Sequence, residues 1–445
     1  MTADLAHALI DAALKAGADA ADALAIEGTA LSIDVRQGRL EHAERAEGLD
    51  LGLRVLVGGR QACVSSSDGR AATLAAMAER AVAMAREAPE DPFAGLADPG
   101  QLSARRDAGG LDLADSTAEP DPAQLQDDAR RAEEAALSVA GVSQIDQSSA
   151  SYSRRTIHLV ASNGFAGGYQ RTSRHTACVA ITGSGTAMER DWASEGRIFQ
   201  ADLPTPEEIG RQAGERAAAR KGSRKPPSGG YPVLYDERVA ASLVGHLTGA
   251  INGTAIARGA SWLRDALGKP VLPPGFDLIE DPLRVRIAGT RPFDAEGLAT
   301  TRRAWVQDGV LQGWVLDLAT ARKLRMTSTA NAARGPSAPP SPSLSNLALT
   351  QGAASRADLI RDMGTGLLIT ALIGSTINPT TGDYSRGASG FWVENGEIAY
   401  PVNECTVAGN LRDMLMRMTA ANDARAHLST QVPSLLVEGL TIAGA

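Results

Sequence analysis

The chain has 445 residues, of which 43% are hydrophobic, 22% charged and only 4% aromatic, with a formal net charge of −8. Such a length exceeds one ordinary core, so two or three domains are expected, packed largely with Ala, Val, Leu and Ile. The acidic balance argues against a general nucleic-acid binder, and no run approaches the ~20 apolar residues that span a bilayer.

The residues from Met1 to Ala16 contain Asp4 and Asp11 and show no basic stretch followed by an apolar one, so no targeting signal is expected there. The three cysteines, Cys63, Cys178 and Cys405, suit a reducing compartment better than a disulfide scaffold. The cytoplasm is the expected location.

Leu5, Leu9, Ala12 and Ala16 form a helical stripe ended by Gly17. Strands are expected at Ala23–Glu27, Leu31–Arg36, Leu49–Val57 and Gln61–Ser66, the last two joined at Gly58-Gly59. Asp68 is expected to cap a second helix carrying Leu74, Met77, Ala78, Ala81 and Val82 on one face. Residues 1–90 therefore read as an α+β domain, and the Pro-, Asp- and Gly-rich residues 91–120 as a connector.

Asp121-Pro122 opens a helix as cap and first-turn proline. Asn163-Gly164 predicts a hairpin with a type I′ turn. Thr205 and Glu208 form a capping box at the start of another helix. Residues 121–222 read as a middle α+β domain. Its basic tail (Arg211, Arg216, Arg220, Lys221, Arg224, Lys225) has no interleaved aromatics, which favours cations at a helix end and linker over a phosphate site.

Residues 231–445 read as mainly β, after one helix from Asp236 to about Ile251. Asp308-Gly309 and Asn395-Gly396 mark hairpins. Between them the prolines and serines of 335–345 forbid helix and central strand. The fold class expected is α+β throughout, with a mostly β C-terminal domain.

No G-x-S-x-G elbow, phosphate-binding glycine loop, C-x-x-C or H-E-x-x-H pattern occurs, and the six histidines are scattered. His246 lies off the apolar stripe of its helix, and Cys405 has no histidine near it in sequence.

Three stretches carry a resemblance. They are Ala250–Leu263 (AINGTAIARGASWL), Ser328–Ala332 (STANA) and, most specifically, Asn378–Gly396 (NPTTGDYSRGASGFWVENG), continued by Ile398–Val402 and Val407–Leu411. Together they resemble the TldD/PmbA peptidase family over essentially the whole chain. The resemblance implies a pair of related subunits, of which the TldD type carries H-E-x-x-x-H on a helix and a cysteine near the C-terminus. Gly245, His246 and Ala250 fall at the two histidine positions and the glutamate position, in the order His, Glu, His, and Thr419–Pro433 contains no cysteine.

A hydrolytic zinc needs about three protein ligands and an open position for water. No catalytic residue and no metal ligand are therefore assigned to this chain, and it reads as a TldE (PmbA) type subunit without its own zinc. The resemblance implies a TldD-type partner that holds the zinc, with unstructured peptides as substrate. Ser328, Asn331, Asn378, Thr381, Gly382 and Asp383 are candidates for lining the substrate groove or, equally, residues of tight structural turns. Two other readings remain open: an independent peptidase with an unconventional site, and a peptide-binding scaffold that does not cleave. Neither a nucleic acid nor a membrane is expected as partner.

Overall fold

The computed structural model describes residues 2–444, with Ser375 described by its backbone alone. The first half is built from α1 (Thr2–Lys15), β1 (Ala20–Arg36), β2 (Arg39–Val57), β3 (Arg60–Ser66), α2 (Ala71–Glu87), α3 (Pro122–Leu137), β4 (Val142–Ala161), β5 (Ala166–Thr182), β6 (Glu189–Arg197) and α4 (Pro206–Ala219). All six strands belong to one antiparallel sheet in the order β3-β2-β1-β4-β5-β6. β1 pairs with β4 from Asp22↔Ala161 to Val35↔Ser148, so the sheet runs without a break across the connector.

Alternate residues of a strand share a face. On β1, Ala21, Ala23 and Ala25 pack against α1 and α2, while Leu31, Ile33 and Val35 pack against Leu125 and Ala129 of α3. These residues are in step, so α1, α2 and α3 cover one face. On α4, a Cβ at Gly210 would come within 2.0 Å of the Ala132 carbonyl oxygen, so glycine is what lets α4 lie directly on α3. The opposite face, with Asp22, Leu24, Ile26 and Arg54, meets the C-terminal half.

Several local expectations agree with the structure. Asp121 accepts from Ala123 N–H, and Thr205 and Glu208 bond each other's backbone N–H at 3.3 and 2.9 Å. Others differ. Strands Ala23–Glu27 and Leu31–Arg36 are one continuous strand, and the charged segment 39–48, which has no apolar alternation, is also strand. α2 begins after Arg70, and Asp68 is not its N-cap: it accepts from Arg70 N–H just before the helix and from the Thr73 hydroxyl in its first turn. At Asn163-Gly164 only the glycine has positive φ (95°), so the turn is not type I′; the asparagine side chain instead accepts from Phe165 N–H and donates to the Ala97 carbonyl.

In the second half, β7 (Gly229–Tyr235) lies between the strands Gly366–Ile377, parallel to it, and Leu435–Ala443, antiparallel. Strands Asp383–Glu394 and Glu397–Asn410 extend the sheet, and Thr406↔Ala443 closes it into a five-stranded ring. α5 (Glu237–Ala250) packs Ala240, Leu243, Val244, Leu247 and Ala250 into the core of this barrel with Tyr235, Leu367, Ile369, Val407 and Val437. A second small sheet, including Leu278–Glu280 and Arg303–Gln307, carries Trp305 into the same core.

The basic residues of α4 and of the segment after it are dispersed, two of them into the seam between the halves. Arg220 is 3% exposed and donates to Asp191, Ser389 and Thr370, and Arg224 stacks on the Tyr400 ring at 3.6 Å. Arg216 donates to the Trp192 carbonyl, while Arg211 and Lys221 stay exposed.

Candidate functional site

The loop after α5 bonds the 378–396 stretch directly and reaches the 328–332 stretch through Pro342, the strand partner of Ala332. Asp236 caps the helix by accepting from Arg238 N–H. At its far end the Ala250 carbonyl accepts from the Ser261 hydroxyl at 2.6 Å. The intervening loop reaches in two directions: Asn252 Nδ2 donates to the Pro342 carbonyl at 2.9 Å, and Trp262 N–H donates to the Pro379 carbonyl at 2.8 Å. One loop thus ties the Pro/Ser segment to the 378–383 turn.

Gly245 is exposed, with nothing within 4 Å of where a Cβ would stand. Ala250 is 5% exposed. Between them His246 sits half-buried with its ring edge-on to Tyr384, centroids 5.8 Å apart, and its Nε2 has no hydrogen-bond partner. Burial, helped by the Arg386 charge, lowers the His246 pKa, which keeps the imidazole neutral near pH 7. The Tyr384 hydroxyl lies 3.5 Å from that of Tyr235, whose pKa burial raises well above the usual phenol range. A glycine, an imidazole and an alanine are not a ligand set for a hydrolytic zinc with a carboxylate base. Cys405 does not supply what is missing: its thiol points to the Ala388 carbonyl at 3.2 Å, and burial pushes its pKa to about 11. Among the described residues no cluster of three or more His, Cys, Asp or Glu side chains could hold a metal ion.

The groove candidates fall into two sets. Asn378, Thr381, Gly382 and Asp383 form one turn. The Asn378 side chain accepts from Thr380 and Thr381 N–H, Thr381 Oγ1 donates to Asp383 at 2.6 Å, and Asn410 Nδ2 donates to Asp383 at 3.0 Å. Gly382 has φ +84°, and a Cβ there would meet the Trp262 ring at 3.4 Å. The side chains of Asn378, Thr381 and Asp383 are exposed.

Ser328 and Asn331 form the second set. The Ser328 hydroxyl accepts from Ala330 N–H. Asn331 is 5% exposed and donates its amide to both oxygens of Glu280. Glu280 also accepts from Trp305 Nε1 at 3.0 Å and from Ser345 N–H and Oγ at 2.7 and 2.8 Å, so it anchors both ends of the Pro/Ser segment. Nothing local in sequence marks Glu280, because its partners lie 25 to 65 residues away.

A cleft of about 470 Å³ separates the six-stranded sheet from the 291–295 and 332–334 segments. Asp294 lines it and accepts from Glu296, Leu298 and Ala332 N–H. Burial pushes its pKa up to about 6 in spite of those three donors, and burial with the Asp294 and Asp317 charges raises Glu296 further. A carboxyl whose folded pKa lies above its unfolded value stabilises most when protonated, and that contribution is lost as pH rises through the folded pKa. Relative to Asp294→Asn, the native protein is expected to lose stability between about pH 4 and 6.5. Urea midpoints across that range check this, and parallel curves for the two proteins would refute it.

Family models match the chain in three consecutive blocks: "PmbA/TldA metallopeptidase domain 1" at 21–85, the central domain at 115–221 and the C-terminal domain at 228–444. Metalloprotease PmbA of Escherichia coli O157:H7 is 36% identical over 428 residues, covering 96% of this chain and 92% of the relative. The crystal structure of a suspected modulator of DNA gyrase from Bacteroides thetaiotaomicron superposes with a TM-score of 0.91 at 28% identity, covering 99% of this chain and 98% of that one. TldE from Thermococcus kodakarensis shares the fold, with a TM-score of 0.85 at 18% identity and coverage of 99% and 100%.

Proposed function

Because this chain belongs to the PmbA/TldD metallopeptidase family, we propose that it is the TldE-type subunit of a two-chain cytoplasmic peptidase whose catalytic zinc sits in a TldD-type partner. The observation that carries this reading is the donor set on α5. Gly245 and Ala250 stand at the presumed ligand positions, and neutral His246 stands where a carboxylate base belongs. The chain's part is to enclose the groove in which the partner cleaves unstructured peptides. A peptide in such a groove adds as an extended strand. The exposed side chains of Asn378, Thr381 and Asp383 would contact it, while Ser328, Gly382 and Asn331 hold the walls in place. An obligate contact of this kind buries over ~2,000 Å².

The test is to mix the purified chain with a zinc-bearing TldD-type subunit and to follow mass, bound metal and hydrolysis of an unfolded peptide together. Hydrolysis is expected only in the mixture, with no stoichiometric zinc on this chain alone. In the mixture His246→Ala is expected to keep turnover within about twofold. Cleavage by the chain alone as fast as by the mixture would overturn the reading, and a hundredfold loss with His246→Ala would place that residue in the chemistry.

A further inference from the structure

The floor of the cleft of about 470 Å³ is laid in rows across β1, β4 and β5. These strands pair without a bulge through this part, so directly opposed residues share a face. Leu24 stands opposite Leu159. Ile26 stands opposite Ile157, and Ile157 opposite Tyr169. Gly28 then stands opposite Arg155, and Arg155 opposite Arg171. Two apolar rows thus lead to a basic one. Phe293 closes the apolar end, edge-on to Phe165 and Tyr169 with centroids 5.0 and 5.7 Å away. It fits there because a Cβ at Gly167 would stand only 2.9 Å from its ring.

The basic row sets like against like, and like charges directly opposed on neighbouring strands destabilise a sheet. Arg171 has only neutral partners, the Ala288 and Thr290 carbonyls, and its buried Nε has none. Arg155 is exposed, and among the described residues no ion pair reaches it. From the facing wall Arg291 and Arg334 line the same cleft. Arg334 is 1% exposed; Asp22 and the Gly52 carbonyl take its terminal nitrogens and leave its Nε buried without a partner. Asp294, the carboxylate of the lining, has its oxygens taken by three backbone N–H groups. Four guanidinium groups therefore surround one spent carboxylate, in a chain of net charge −8. A buried donor without an acceptor is costly, and the planar edge of a guanidinium matches a carboxylate.

We infer that this cleft binds a carboxylate at the end of an apolar chain, with the carboxylate against Arg155 and Arg171 and the chain along Ile26, Ile157 and Tyr169 toward Phe293. The cleft has the size usual for small ligands, roughly 300–1,000 Å³. Two sources share this chemistry: the C-terminus of a peptide that ends in an apolar residue, and a fatty acid. A bare inorganic anion would meet the arginines and leave the apolar rows uncovered. Every lining residue belongs to this chain and none lies on α5, so the inference stands or falls apart from the two-subunit reading.

Calorimetric titration of the full chain tests it with N-acetyl-Ala-Ala-Leu, octanoate, the primary amide of each, and inorganic phosphate. At least one of the two acids is expected to bind with Kd below about 1 mM, and the tighter one names the source. Its amide is expected to bind at least about tenfold more weakly, because the charge-assisted bonds are lost. Arg155→Glu is expected to weaken the acid by at least about tenfold, and Arg155→Lys by less. Arg155 is exposed and holds no ion pair, so the circular dichroism of both variants should match that of the natural chain. The inference fails if neither acid binds, if the amide binds as well as its acid, or if phosphate binds as tightly as the better acid. It also fails if folded Arg155→Glu binds the acid as the natural chain does.

Discussion

An Asp22→Asn variant is expected to lose roughly 3–5 kcal/mol of stability, the cost of removing one partner from a buried ionic group. Asp22 stands on the β1 face turned toward the C-terminal half. Arg54 directly across on β2 meets one carboxylate oxygen at 2.5 Å, and Arg334 from the C-terminal half meets the other. The three side chains are 1–4% exposed. Asparagine keeps the shape and takes away the carboxylate charge that both guanidinium groups bond, leaving them buried side by side. Arg334→Met removes the reach across the seam but leaves the Asp22–Arg54 pair, so it is expected to cost clearly less. Denaturant unfolding of the three proteins checks both statements. A loss below 1 kcal/mol in Asp22→Asn, or a larger loss in Arg334→Met, would show that the triad does not hold the halves together as described.

Glu280→Ala is expected to be comparably severe and to act on the candidate site. The substitution orphans Trp305 Nε1–H, the Asn331 amide, and both N–H and O–H of Ser345. A buried donor left without an acceptor costs about 1–3 kcal/mol, so a total loss of about 4 kcal/mol or more is expected. Residues 335–345 would then lose their anchors, and native-state proteolysis should cut there many times faster than in the natural chain. Glu280→Gln keeps the volume and one acceptor oxygen and is expected to fall between. Unchanged cleavage rates in Glu280→Ala would mean that the segment is held by its prolines and by Asn252 rather than by this carboxylate.

What could be read beforehand divides along the distance over which each feature is encoded. The caps at Asp121 and Thr205 and the turns at Asp308-Gly309 and Asn395-Gly396 are written in two to four adjacent residues, and each stands where those residues say. The 39–48 part of β2 was missed because a strand exposed on both faces has no alternation to show. The union of β1 with β4, and the ring of five barrel strands, depend on pairings between distant residues that leave no local trace. At the site, the 250–263, 328–332 and 378–396 stretches were recognisable as distinctive. What joins them was not, since Trp262 bonds Pro379 and Asn252 reaches the 328–332 stretch only through Pro342, the strand partner of Ala332. The burial of Asn331 and its attachment to Glu280 could not be inferred from a lone glutamate in a three-residue strand.

The closure of the barrel also sets a clock. Leu435 pairs with Tyr235, 200 residues earlier, and Ala443 pairs with Thr406. During synthesis the six-stranded sheet, complete by Arg197, can form early, since domains tend to fold as units from the N-terminus. β7 by contrast must wait through some two hundred further residues with one side unfilled, and Gly366–Ile377 reaches it first, from the other flank. For that interval the nascent chain carries a half-built barrel with two raw edges and an apolar α5 face. Pairings of such long range form slowly, so the yield of native protein in the cell depends on how this unfinished stage is sheltered as well as on the stability of the finished fold.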